Sequence, residues 1–121
     1  MEGMVVNGVP RLPEDVQKLL RLMAQRLEVS GKVMALQASV AVVKAYTATW
    51  IDVLVPDGFP RGDWADGALS VSPTVLDRAG AEVGCIFVWV SKGQLVSLEQ
   101  GWYTDEPPRG WPSVEMVKWE A

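Results

Sequence analysis

Residues 82–103 read Glu-Val-Gly-Cys-Ile-Phe-Val-Trp-Val-Ser-Lys-Gly-Gln-Leu-Val-Ser-Leu-Glu-Gln-Gly-Trp-Tyr. From Val83 to Val90 the run is apolar and mostly β-branched or aromatic, which suits a strand. Ser91-Lys92-Gly93-Gln94 supplies a turn, with Gly93 free to take positive φ. Leu95 to Tyr103 then returns, so the stretch is expected to form a β-hairpin around which the rest packs. Alternation places Val83, Cys85, Phe87 and Trp89 on one face of the first strand and Ile86, Val88 and Val90 on the other. A strand apolar on both faces needs cover on both. One helix can supply one cover; the other must come from a long loop, a Trp-rich tail or a second copy of the chain.

Working towards the N-terminus, Leu69, Val71, Pro73 and Val75 alternate with polar residues as a half-buried strand, and Pro73 places it at an edge. Asp77-Arg78-Ala79-Gly80 is a turn. Residues 56–67 hold three glycines and two prolines and read as a long loop, tied down by Phe59 and Trp64. Residues 47–55 form a strand with Thr49, Ile51, Val53 and Val55 on one face. Residues 38–45 are assigned to a strand on their β-branched content, with a second helix through Met34 to Ala38 as the competing reading. Val16, Leu19, Leu20, Met23 and Leu27 recur at helical spacing after Pro13, Glu14 and Asp15, and that helix ends by Ser30-Gly31. Residues 1–12 are expected to be a flexible arm. Beyond the hairpin, Pro107, Pro108 and Pro112 exclude a central strand, and Ser113 to Met116 suits one short helical turn.

The 121 residues make one domain, 1–121, long enough to bury a core without disulfides or metal. Net charge is −4, divided as +2 over residues 1–44 and −6 over 45–121. An acidic half argues against a nucleic-acid surface. With Gln37 inside it, the apolar stretch Val33 to Val43 is too short to span a bilayer, and the N-terminus lacks a basic signal region. The single cysteine, Cys85, fits a reducing compartment, and a cytoplasmic location is expected.

There is no histidine, so Ser-His-Asp and Cys-His catalysis and His-ligated zinc are excluded. Cys85 in an apolar run reads as a small core residue. No phosphate-binding or dinucleotide fingerprint is present. Residues 63–67, Asp-Trp-Ala-Asp-Gly, lack the spacing of a calcium loop. Glu99 with Asp105 or Glu106 could pair as catalytic carboxylates, but solvated rim charges explain them as well. The chain is therefore expected to be no enzyme, with no cofactor and no metal. What remains is the aromatic and acidic group Trp102, Tyr103, Asp105, Glu106 and Trp111, with Trp119 nearby. Large aromatics of this kind either close a sheet or form a recognition surface.

Ile86 to Val90, Lys92-Gly93, Leu95 to Glu99, Trp102-Tyr103, Asp105 to Pro108 and Pro112 together resemble a group of small uncharacterised actinobacterial proteins. These share an apolar strand, a Gly turn, a Leu-x-x-Leu-Glu step, an aromatic and an Asp-Glu-Pro-Pro tail. The resemblance covers about a third of the chain and implies no assigned activity. Some members carry a Cys-rich segment where this chain has Val33 to Ala38, so no metal or redox role carries over.

The expected architecture is α+β: an N-terminal helix packed on an antiparallel sheet of about four to five strands. The expected function is non-catalytic binding of a partner protein, as in immunity, antitoxin or phage accessory proteins. The alternative is a carrier of a hydrophobic small molecule between helix and sheet. Neither nucleic acid nor membrane is an expected partner, and a homodimer through the second sheet face is a separate expectation.

Overall fold

In the computed structural model, residues 4–6, 9–27 and 30–119 are described. The chain runs β1 (Met4–Val6), β2 (Val9–Arg11), α1 (Glu14–Ala24), α2 (Gly31–Val40), β3 (Val42–Tyr46), β4 (Trp50–Leu54), β5 (Gly67–Ala68), β6 (Thr74–Leu76), β7 (Glu82–Ser91), β8 (Gln94–Trp102), a 3-10 turn (Val114–Met116) and β9 (Val117–Lys118). Every strand pairing is antiparallel, in the order β1-β2-β3-β4-β8-β7-β6-β9, with β5 also on β7. The fold is α+β, with two α-helices among the described residues and more strands than the four or five expected.

β7 and β8 lie at the centre of the order and form the hairpin read from the sequence. Lys92 and Gly93 both take positive φ, 53° and 76°. Positive φ at both central residues matches the twist of the flanking strands and closes the hairpin in two residues. The core face carries Ile86, Val88 and Val90 from β7 and Leu95 and Leu98 from β8.

α1 forms where the apolar spacing places it. Val16, Leu19, Leu20 and Met23 are at most 3% exposed, and each contributes roughly 1.5–3 kcal/mol by leaving water. It stops at Ala24, short of the Ser30-Gly31 limit, and Leu27 packs on the core from beyond its end. Gly31 sits against that end: a Cβ there would collide with the carbonyl oxygen of Ala24, so α2 begins in close contact with the last residue of α1.

Three expectations are corrected here. The strand assigned to 38–45 is helix α2 up to Val40, and β3 starts only at Val42. Tertiary contacts outweighed the β-branched content, because Met34, Gln37 and Ala38 all bury on the hairpin side. The flexible arm over 1–12 is, where described, a pair of short strands, with Arg11 paired to Val42 of β3. Over 69–75 the half-buried strand survives only as β6, and Pro73 interrupts it. Pro73 still accepts Ile86 N–H at 3.0 Å, and β9 lies outside β6, so β6 is not an edge.

The buried side chain of Gln37 joins the layers. Its Nε2 donates to Pro60 O and Gly93 O, both at 2.9 Å, and its Oε1 accepts Leu95 N–H at 2.9 Å. The 56–67 loop closes over the same point: Gly62 N–H donates to Gly93 O at 2.8 Å, and Trp64 Nε1 donates to Ser30 Oγ at 2.9 Å. Phe59, Trp64, Trp111 and Trp119 all pack on the core cluster under the helices. Loop, tail and helices thus cover one face of the sheet.

Candidate functional site

Among the described residues, no such cover lies on the opposite face. Trp50, Glu99 and Phe87 stand in one row across β4, β8 and β7, and Asp52, Ser97 and Trp89 in the next. None of Trp50, Phe87, Trp89 and Cys85 joins a core cluster, and Phe87 and Trp89 are half-buried. The polar atoms of the face are satisfied within it. Trp50 Nε1 donates to Asp52 Oδ1 at 2.6 Å, Ser97 Oγ to the same atom at 2.9 Å, and Trp89 Nε1 to Glu99 Oε1 at 3.1 Å. The Trp50 indole, then Ser97 and the nearby Lys44, hold the Asp52 carboxyl below its ordinary range. Cys85 lies on this open face, half-buried, rather than in the core, because it alternates with Gly84 and Ile86. The thiol beside the Tyr103 phenol and, second, burial push that phenol's pKa up. Val83 departs from the expected alternation. β6 slips register opposite it, and Val83 lines a cleft beside Gly84 instead of sharing the face of Cys85.

That cleft is built where β7 begins and β8 ends. Gly84 pairs with Trp102, and Tyr103 N–H donates to Val83 O at 2.9 Å, extending the ladder by one residue. The chain then turns away, fixed by Thr104 Oγ1 donating to Glu106 O at 2.8 Å. It is caught again at Gly110, whose carbonyl accepts Gln100 Nε2 at 3.1 Å, and at Trp111, whose Nε1 donates to Thr47 O at 2.8 Å. Residues 104–109 therefore form one wall of a cleft of about 430 Å³, with Val75, Val83, Gly84, Gln100 and Trp102 opposite.

The five residues singled out in the sequence do not form one patch. Trp102, Asp105 and Glu106 line the cleft together. Adjacent strand positions alternate, so Tyr103 stands on the open face with Cys85. Trp111 packs on the core and anchors the tail to the β3–β4 turn. Glu99 faces Trp89 on the open face while Asp105 and Glu106 line the cleft, so the structure does not assemble that carboxylate pair. Gln100 is the cleft residue that sequence reading missed. The available signal was a polar side chain two positions after Leu98, on the face that should be apolar.

Among the described residues no group of three His, Cys, Asp or Glu side chains could hold a metal ion, and no helix is long and apolar enough to cross a membrane. No family model matches the chain, and the searches of curated proteins and solved structures found no match.

Proposed function

We propose that this protein is a non-catalytic binding module that docks on a partner protein through the end of its sheet. One observation carries the reading: Trp102 and Tyr103, 43% and 62% exposed, close β8 on opposite faces, and Trp102 shares its cleft with Asp105 and Glu106. Exposed aromatics beside satisfied backbone are the usual anchors of protein interfaces. A carrier role is less well supported, because the space between helices and sheet is filled by Leu20, Met23, Met34, Ile51 and Val88, each at most 1% exposed.

The test is affinity purification from the source cell with the wild type, Trp102→Ala and Asp105→Asn/Glu106→Gln. The expected result is a protein retained by the wild type and lost with both variants. Retention of the same proteins by all three overturns the reading.

A second reading is favoured by the open face. Loop and tail both pack under the helices, so the aromatic rows at Trp50 and Trp89 are left for a second copy of the chain. Equilibrium sedimentation showing only monomer at high micromolar concentration removes it.

A further inference from the structure

We infer that the cleft at the end of β8 takes an arginine side chain of the docking partner. This deepens the binding reading above and rests on it. The lining of the cleft brings together acceptors, a π face and apolar surface. Gln100 is 3% exposed, and its two amide protons are already committed to Ala48 O at 2.9 Å and Gly110 O at 3.1 Å. That fixes the amide orientation and leaves Oε1 as the polar group Gln100 can offer an occupant. Trp102 exposes its indole, and Val75, Pro107 and Pro108 add apolar surface to the lining. Asp105 and Glu106 bring two carboxylates. Arg109 also lines the cleft, yet among the described residues it makes no ion pair with either of them.

A ligand for this lining must donate hydrogen bonds, carry positive charge and bring an apolar stem. Arginine meets all three: its planar guanidinium stacks on an indole while its fork of N–H groups reaches carboxylate and amide oxygens, and its methylenes cover the proline wall. Asp105 and Glu106 against the one cation Arg109 leave the lining itself net negative, which favours a cationic group. An ammonium satisfies the carboxylates but stacks less well, so lysine binds more weakly.

The experiment titrates the 15N-labelled protein with the tripeptide acetyl-Gly-Arg-Gly-amide and with its uncharged citrulline counterpart, following the Trp102 Nε1–H and Gln100 side-chain resonances. The arginine peptide is expected to shift both saturably, and the citrulline peptide to bind at least about fivefold more weakly. Asp105→Asn/Glu106→Gln, at exposed positions where folding is undisturbed, weakens arginine binding by a similar factor, as does raising salt from about 20 to about 300 mM. No saturable shift at these two residues, or equal binding of the citrulline peptide, overturns the assignment. The two readings fail separately. If Trp102→Ala abolishes partner capture but the arginine peptide does not bind, docking stands and arginine falls. If Trp102→Ala leaves capture unchanged, docking itself falls.

Discussion

The Oε1 of Gln37 accepts the backbone N–H of Leu95 at 2.9 Å, joining the middle of the second helix to the first turn of the returning hairpin strand. The same amide donates to Pro60 O and Gly93 O, so one buried side chain holds helix, loop and hairpin tip. Gln37→Ala strands the buried Leu95 N–H and takes one of two hydrogen bonds from Gly93 O, which keeps Gly62 N–H. The unpaired donor and the lost packing cost about 3 kcal/mol, or about 10 °C in Tm. Gln37→Glu fares little better, since a carboxylate cannot donate to either carbonyl. Thermal denaturation followed by circular dichroism checks this; a loss under about 2 °C would contradict it.

The close approach of Gly31 to the end of the first helix makes a second prediction. Gly31→Ala forces a methyl into the Ala24 carbonyl, which is backbone and cannot yield without shifting a helix. The expected cost is about 2 kcal/mol or more, as for other overpacked sites. Gly110→Ala has nothing within 4 Å of the added carbon and should stay within about 0.5 kcal/mol of wild type. Urea unfolding of the pair separates the two, and equal midpoints would contradict that close approach.

Asp52 links the open face to pH. Its carboxyl is held below the ordinary value of 3.8, first by the Trp50 indole N–H and then by the Ser97 hydroxyl. A lowered folded pKa stabilises the protein above the unfolded pKa, and that contribution is lost as pH falls through the folded value. The wild type should therefore lose more Tm than Asp52→Asn between pH 5 and pH 2, with the difference developing below about pH 4. Parallel curves would mean the indole bond is not formed in solution.

Tyr103 gives a spectroscopic reading of the same face. The Cys85 thiol and partial burial favour the neutral phenol, so it ionises above its ordinary 10.0. Difference absorbance between wild type and Tyr103→Phe isolates its titration. Cys85→Ala should move the midpoint back down, and a midpoint that ignores this change would contradict the contact.

The hairpin at 82–103 and α1 were legible because each carries a periodic apolar pattern longer than two turns or four residues. α2 was not. Val33, Met34, Ala35, Leu36, Ala38 and Val40 surround it with apolar side chains, so no stripe betrays its period. β1, β2, β5 and β9 span two or three residues each, too few for alternation to show, and they account for the extra strands. At the site, the opposite faces of Trp102 and Tyr103 follow from strand alternation alone. The anchoring of Trp111 by Thr47, 64 residues away, is a tertiary contact with no local signature.

Photo-crosslinking in the source cell tests most directly whether the end of β8 is a docking surface. A p-benzoylphenylalanine at position 102 is compared with one at position 36, where Leu36 is 37% exposed on α2, away from the cleft. The account predicts a discrete protein adduct from position 102 and none from position 36. No adduct from 102, or the same adduct from both, would contradict it.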